Sequence, residues 1–319
     1  REGQFTPCLI YGEKGSGVST LMEMFLPQDN KESCKLIKII PEKRIYKAGD
    51  LLDLLGRSIR NKAFKDLDDL YTYIEQQAPF CVFLDKLHFM YMRQPKGFEV
   101  LKLLFSIISA SSEKVFWICS CGRYSADYLN KTIGLFGYFP VLIQMRPLEL
   151  EKIIKIILLR HRASGYDLSY LPSNRDLADK KFSKMEESRQ QEVLEAKYFS
   201  TLHQITESNI SFALLLWLAS IHRIDNSRVY LESLDRLDFS FLYNQPREAV
   251  FGLHALLLHE SLKPEELAAV MNSPQRQAAL LLMRLNDRGI VVEKGGCYKI
   301  HPLLYRSTVH MLRDNNLIY

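Results

Sequence analysis

The stretch of residues 7–25 reads PCLIYGEKGSGVSTLMEMF, and it decides the fold. The apolar run Pro7–Tyr11 has the length of a buried strand and leads directly into the glycine-rich segment Gly12–Gly17. Ser19–Phe25 follows with apolar residues at helical spacing. Because a strand, a glycine-rich turn and a helix in this order are typical of parallel α/β sheets, we predict that fold class for the chain.

The rest of the first half alternates short apolar runs with longer segments of helical periodicity. Further strands are predicted at Leu36–Ile40, Phe80–Leu84, Val115–Ser120 and Val141–Met145, and helices at Ala48–Ile59, Asp66–Gln76 and Phe98–Ser109. The apolar runs are continuous rather than alternating, which indicates strands that are covered on both faces. We therefore expect a parallel sheet with helices on both sides.

The pattern changes twice along the chain and predicts three domains. They are an α/β core, a helical lid and a C-terminal domain, at residues 1–147, 148–246 and 247–319. The lid begins with a helix at Leu148–Arg160 and ends with helical periodicity over Tyr198–Ile224. Between them lies a polar excursion near residues 173–197, which is predicted to be an exposed helix or a mobile segment.

The C-terminal domain has the layout of a winged helix, with three helices followed by a two-stranded hairpin. The elements are predicted at Glu248–His259, Lys263–Met271, Pro274–Arg288, Ile290–Glu293 and Cys297–Ile300, with a last helix at Pro302–Leu312. Asn272 or Ser273 is placed to cap the third helix, and Gly289 is placed to end it.

The opening stretch carries an altered Walker A loop. This motif, G-x-x-x-x-G-K-[ST], curls backbone N–H groups around phosphate oxygens. Here Gly12 and Gly17 fit, and Ser19 takes the magnesium position, but Val18 replaces the lysine. An aliphatic side chain cannot bridge the β- and γ-phosphates. Lys14 could supply the missing positive charge from the other side of the loop; the alternative is that it is a solvated lysine. The alternative for the whole segment is a glycine-rich turn that binds no ligand.

A second signal is the apolar run Phe80–Leu84 followed by Asp85, which has the form of a Walker B strand. Asp85 would hold magnesium through water at the carboxyl end of that strand. Hydrolytic proteins of this kind commonly carry a glutamate next, whereas this chain has Lys86, which cannot serve as a base near neutral pH. The alternative is that Asp85 caps a turn.

The chain resembles the AAA+ ATPases in the order of its elements, which are a phosphate loop, a Walker B strand, a further strand with a polar end, a lid and a winged helix. It is similar in particular to their STAND and origin-recognition branches. The resemblance implies ATP or ADP with magnesium as the ligand. It also implies a sensor 1 residue after Val115–Ile118, with Ser120 as the candidate and Arg123 as the alternative. At the position where this family carries the sensor 2 arginine, the resemblance places Ser211.

The candidate site is therefore a nucleotide site without assigned catalytic residues. Its cofactor-binding candidates are Gly12, Lys14, Gly15, Ser16, Gly17, Val18, Ser19, Thr20, Asp85 and Ser120. Ser19 and Asp85 are the magnesium ligands if a nucleotide binds.

Three positions that stabilise charge on the γ-phosphate carry unsuitable side chains, namely Val18, Lys86 and Ser211. Losing one such contact costs about 3 to 4 kcal/mol of transition-state stabilisation. The sequence thus predicts a pseudo-ATPase, with weak or absent hydrolysis, that acts as a nucleotide switch or scaffold. One alternative is an active ATPase that uses Lys14 or residues supplied by a partner.

A second alternative is an origin-recognition-like protein that binds DNA through the third winged-helix helix. The outward candidates there are Gln275, Arg276, Arg284 and Arg288. Residues 247–319 carry nine Lys and Arg against seven Asp and Glu, and the run Ala278–Met283 is expected to be buried. Because non-specific DNA binding needs several phosphate contacts, this charge does not favour DNA.

Composition excludes some classes and leaves others open. The net charge is +5, from 42 Lys and Arg against 37 Asp and Glu, and the longest apolar run, Ser211–Ile221, is too short to span a bilayer. The chain starts with Arg1 and shows no signal peptide, so a fragment of a longer cytoplasmic protein is expected. The partners expected are the remaining domains of that chain and a second copy that binds through the core. The six cysteines are expected to be reduced.

Overall fold

The computed structural model describes residues 5–24, 35–77, 79–234 and 238–318, so that the predicted helix end at Phe25 and Cys34 lie outside the described residues. Contacts group the chain into two compact units. The first contains residues 1–145 and 247–300, and the second contains residues 146–246 and 301–319. The predicted division into three domains stays a prediction.

The first unit is built on a five-stranded parallel sheet, which confirms the α/β class. Its strands are β1 (Cys8–Gly12), β2 (Lys35–Ile39), β3 (Phe80–Leu84), β4 (Val115–Gly122) and β5 (Val141–Gln144), in the order β2-β3-β4-β1-β5. Every neighbouring pair is parallel. Strands β1 and β3 are buried along their whole length, as their continuous apolar runs predict.

Strand β5 departs from the expected burial. Its Val141, Leu142 and Ile143 are each 41% exposed. The strand lies at the sheet edge and pairs only with β1, so an apolar run of the same kind is here left partly uncovered.

Within residues 5–24, 35–77 and 79–145, five α-helices accompany these strands. They are α1 (Val18–Met24), α2 (Ala48–Arg60), α3 (Leu67–Gln76), α4 (Glu99–Ala110) and α5 (Arg123–Ile133), with a 3₁₀ turn at Leu87–Met90. Asp66 caps α3 by accepting a hydrogen bond from the Asp69 amide, which explains why the predicted helix began one residue too early. The apolar faces of α2 and α4 pack with Val82, Leu84 and Trp117 of the sheet in one core.

The second unit mixes helices with a small sheet. Its elements are α6 (Leu150–Arg162), β6 (Asp167–Tyr170), α7 (Asn174–Ala178), α8 (Glu187–Thr206), α9 (Ile210–Ala219), β7 (Ile221–Asp225) and β8 (Arg228–Leu231). The strands form a sheet in the order β6-β8-β7, which the sequence reading did not predict. A turn at Asn226 and Ser227, both with positive φ, joins β7 to β8.

The polar excursion near residues 173–197 folds into helix, as one of its two interpretations predicted. Ser173 and Asp176 form a capping box at the start of α7. Lys197 of α8 donates to Asp176 at 3.0 Å, which links the two helices.

Residues 247–300 have the helices and the hairpin of the predicted winged helix. They form α10 (Arg247–His259), α11 (Pro264–Met271), α12 (Gln275–Asp287) and the antiparallel strands β9 (Val291–Lys294) and β10 (Cys297–Ile300). The predicted cap of α12 is wrong, because Pro274 holds that position and Asn272 instead ends α11 in a left-handed conformation. Gly289 does follow α12 with positive φ, as predicted.

The last helix, α13 (Tyr305–Asp314), groups with the second unit. There Arg306 donates to Glu207 at 2.9 Å. None of the described helices combines the length and the apolarity that crossing a membrane requires.

Candidate functional site

The glycine-rich loop joins β1 to α1 and adopts a conformation that requires glycine. Gly15 and Gly17 have φ values of 81° and 94°, in the left-handed region that other residues seldom adopt. A Cβ atom at Gly12 would lie 2.6 Å from Ser16 Oγ and 2.7 Å from Met145 Cβ. The loop is thus tightly curled at the carboxyl edge of the sheet, where α/β proteins bind ligands.

The position of the missing lysine is used for packing. Val18 is partly buried and packs with Cys8, Ile10, Met22 and Phe83 beneath the loop. Its apolar side chain therefore contributes to the small core under α1. A cation at this position would have to leave that cluster.

The predicted pair Asp85 and Ser120 is brought together, and both residues are buried. The Ser120 hydroxyl donates to Asp85 Oδ1, and the Lys86 amide donates to the same oxygen at 2.9 Å. Asp85 therefore also caps the turn after β3, as its alternative reading predicted. Within the described ranges no hydrogen bond joins Ser19 or Thr20 to Asp85, and both residues are exposed.

Helix α5 holds the loop through Glu13. Arg123 Nη1 and the Tyr124 hydroxyl donate to Glu13 Oε1 at 3.1 and 3.0 Å. Arg123, the alternative sensor 1 residue, thus reaches the loop through a carboxylate of the loop itself.

A carboxylate that the sequence reading missed lies at the same edge of the sheet. Glu260 follows the last residue of α10, and its Oε1 lies 3.4 Å from Nε2 of the buried His88. A Cβ atom at Gly122 would lie only 2.9 Å from that same oxygen. Gly122 is paired with Gly12 in the sheet, so the carboxylate sits where β4 ends beside the glycine-rich loop.

Nearby cations stabilise the charged form of this carboxylate. Burial raises the pKa of Glu260, but His88, Lys14 and Lys86 together outweigh it and lower the pKa to about 2. Desolvation lowers the pKa of Lys14, and Glu260 opposes that change. The charge of Glu260 thus interacts with His88, Lys14 and Lys86, and the buried Asp85 is a second carboxylate at this edge of the sheet.

Arg44 fixes the chain on either side of Glu260. Arg44 is 7% exposed, and its guanidinium donates to the carbonyl oxygens of His259 and Ser261 at 3.1 and 2.9 Å. The same side chain donates to His88 O at 2.9 Å. Arg44 therefore ties the end of α10 to the turn that carries His88.

Two further histidines of α10 are neutral for physical reasons. Burial and the neighbouring Arg93 lower the pKa of His254 to about 4. His259 is fully buried against the Tyr91 ring, and burial together with Arg44 and Arg93 lowers its pKa well below the usual value. No local motif in the sequence marks these residues or Glu260 as neighbours of the loop.

The other predicted candidates belong to other elements of the chain. Ser211 is exposed in the first turn of α9, a helix of the second unit whose cap is Asn209. The four outward residues predicted on α12 are exposed, but Leu280 and Met283 are too, so the run Ala278–Met283 is less buried than expected. A cavity of 590 Å³ beside α12 is lined by Glu265, Asp287 and Glu293 as well as Lys263.

The described cysteines are free thiols. Cys8, Cys81, Cys119 and Cys121 are buried thiols of the central strands. Across the described ranges, no three His, Cys, Asp or Glu side chains are grouped so as to hold a metal ion.

The family models and the curated proteins that we searched gave no match to the chain. Solved structures do match. The ORC2 protein of Aeropyrum pernix, in ADPNP and ADP complexes, is 13% identical, with coverage of 98% of this chain and 89% of that one and a TM-score of 0.42. A Walker-type ATPase of Pyrococcus abyssi is 16% identical, with 97% and 91% coverage and a TM-score of 0.43.

Cdc6p from Pyrobaculum aerophilum is 16% identical, with 99% and 90% coverage and a TM-score of 0.40. Likenesses at this level carry no function across to this chain. The predicted architecture is nevertheless present in the chain's own fold, as a parallel sheet with the glycine-rich loop after β1 and three helices with a hairpin at residues 247–300.

Proposed function

We propose that the chain is a nucleotide-binding regulatory module in which ATP or ADP binds at the loop Gly12–Thr20. The observation that carries this proposal is the curled loop after β1, with Gly15 and Gly17 at positive φ, next to the buried pair Asp85 and Ser120. Backbone N–H groups in such a curl point at one place and form an anion site.

The residues of the loop fit a phosphate group. Ser16 Oγ is buried and has no hydrogen-bond partner among the described residues, so a donor is available inside the curl. The space at Gly12 is closed to any larger side chain. Ser19 and Asp85 are the proposed magnesium ligands, and Lys14 is the cation nearest in sequence to the loop backbone.

Weak or absent hydrolysis is part of the proposal. Val18 is committed to an apolar cluster, and Lys86 stands where a general base would be needed, with its ammonium 5.4 Å from the centre of the Phe89 ring. Since phosphoryl transfer depends on positioned charge, these substitutions together favour binding without turnover.

The proposed role is a switch or assembly scaffold of the STAND type within a larger cytosolic protein. Support comes from the grouping of residues 247–300 with the α/β core, which puts the end of α10 beside the nucleotide loop. Self-association through the core and contact with further domains remain part of this proposal, without an observation of their own.

Calorimetric titration with ATP and ADP, with and without magnesium, tests the proposal. We expect saturable binding of both nucleotides and turnover far below about 1 s⁻¹, the low end for ordinary enzymes. Absence of binding would overturn the nucleotide site. Turnover at enzyme rates that Val18→Lys leaves unchanged would instead overturn the pseudo-ATPase.

An active ATPase that uses Lys14 is the second candidate, because Lys14 and Lys86 both act electrostatically on the Glu260 carboxylate. Bound nucleotide that co-purifies in stoichiometric amount and is lost in Lys14→Ala would favour it. DNA binding stays unfavoured, since acidic side chains line the cavity beside α12.

A further inference from the structure

We propose that the carboxylate of Glu260 competes with the terminal phosphate of a nucleoside triphosphate for the same position at the phosphate end of the site. Glu260 belongs to the segment that follows α10. This inference rests on the proposed nucleotide site and assigns to it a built-in anion. The ligand class that would displace the carboxylate is a polyphosphate.

The position of the carboxylate is the first support. Its Oε1 lies beside Gly122, at the end of β4, and Gly122 pairs with Gly12 at the start of the loop. The buried Asp85 follows the neighbouring strand β3, and the buried Ser120 lies in β4 itself, shortly before Gly122. An anion of the chain therefore sits among the groups proposed to bind the anion of the ligand.

The charges around it are the second support. His88 accepts a hydrogen bond from the Gly122 amide at Nδ1, 3.5 Å away, and its Nε2 faces Glu260 Oε1 at 3.4 Å. Lys14 and Lys86 also act on this carboxylate electrostatically. These three groups are the kind that bind phosphate, and a carboxylate can satisfy them only with a single charge.

The chain holds Glu260 in a conformation that it would not adopt unaided. Its φ is 61°, in the left-handed region, and this conformation is costly for a residue with a side chain. The carbonyl groups of His259 and Ser261, on either side, are both bound by Arg44. Just before them, Leu258 O accepts from Ser125 and, at 3.2 Å, from Tyr91.

These contacts make the competitor pre-organised. Four carbonyl or carboxylate groups of residues 258–261 are held by core side chains, so the carboxylate needs no reordering to stay in place. A triphosphate must displace it, so the apparent affinity equals the intrinsic affinity multiplied by the fraction of molecules in which the site is open. Nucleotide binding in turn releases Glu260 from His88, Lys14 and Lys86.

The test compares Glu260→Gln with the native chain, using ATP, ADP and inorganic tripolyphosphate as probes in calorimetric titrations. Glutamine keeps the shape and removes the charge, so we expect ATP and tripolyphosphate to bind at least about tenfold more tightly, with a smaller gain for ADP. The matched control is Glu248→Gln, which removes an exposed charge from the first turn of the same α10 and should change none of these affinities.

The outcomes separate this inference from the proposed function. Equal ATP affinity in the native chain and Glu260→Gln, or weaker binding in the variant, overturns the competitor and leaves the nucleotide site standing. Tripolyphosphate binding that appears only in Glu260→Gln, without binding of ATP or ADP to either protein, supports the competitor and overturns the nucleotide site. No binding of any probe to either protein overturns both.

A second variant guards against a folding defect. Thermal unfolding is measured for each protein first, and Glu260→Asp shortens the side chain while it keeps the charge. We expect Glu260→Asp to show an intermediate gain in ATP affinity, because its carboxylate is withdrawn from His88. A gain as large as that of Glu260→Gln would show that charge is not what closes the site.

Discussion

The loop Gly12–Thr20 and the segment Leu258–Ser261 meet at one edge of the sheet, but they have opposite characters. The loop offers backbone donors and lacks the lysine of the Walker A motif, because Val18 holds that position and packs into the core beneath it. The segment offers an anion, Glu260, and every backbone carbonyl that flanks it is bound. The comparison shows that residues distant in sequence from the Walker A motif, such as Glu260, contribute to the charge of this site.

The largest effect should come from Arg44→Ala, which removes the side chain that ties Leu258–Ser261 to the turn carrying His88. It leaves four carbonyl groups without their donor and exposes the Glu266 carboxylate, which lies 3.6 Å from Arg44 Nε. We expect the free energy of unfolding to fall by about 3 to 5 kcal/mol. Urea denaturation measures it, with the exposed Arg57→Ala as the control, expected to cost less than about 1 kcal/mol.

A change in the loop alone should have a smaller effect. Gly12→Ala places a Cβ atom against Ser16 and Met145 and should cost about 1 to 3 kcal/mol of stability through overpacking. Gly137→Ala is the matched control, because a Cβ atom there meets no atom within 4 Å. Equal melting temperatures of the two variants would show that the curl of the loop is not tight.

Val18→Lys sharpens the comparison by restoring a cation to the loop. The lysine must leave the apolar cluster, so we expect a modest loss of thermal stability together with about tenfold tighter ATP binding, worth about 1.4 kcal/mol. Hydrolysis should stay weak, because Lys86 is unchanged. Val18→Met is the control for size; unaltered ATP affinity in Val18→Lys would contradict the phosphate-loop assignment.

Acid should destabilise the folded protein through His254 of α10. Its pKa is lowered from 6.5 to about 4, so the unfolded chain takes up the proton first and stability falls as the pH drops from about 6.5 towards 4. His254→Gln should lose less stability over that interval, as measured by unfolding at several pH values. His222→Gln, at an exposed histidine, is the control and should follow the native pH profile.

Much of this fold could be predicted from local patterns. Continuous apolar runs marked β1, β3 and β4, and the segment order marked the loop and the winged-helix elements. The three strands of the second unit were missed because Ile221–Asp225 continues an apolar helical run, and only the turn at Asn226 and Ser227 signals the change. Burial of β5 was overestimated because position in the sheet, which sequence does not encode locally, decides exposure.

The residues of the site likewise divide into those that the sequence could predict and those that it could not. Asp85 and Ser120, which were predicted as separate candidates of the site, lie together because neighbouring parallel strands end at one edge. Glu260, Arg44 and His88 could not be found, because their proximity depends on how residues 247–300 pack on the core. Their side chains carry no spacing pattern, and only the tertiary contacts bring them to the loop.

The discontinuity of the first unit has a consequence for synthesis of the chain. Residues 146–246 separate the two parts of that unit, so the core emerges from the ribosome well before the segment that completes it. Until residues 258–261 are made, Arg44 has no carbonyl groups of that segment to bind, and Glu260 is not yet present beside His88. By the proposal above, the nascent core is open to a polyphosphate, and the finished chain closes that opening itself.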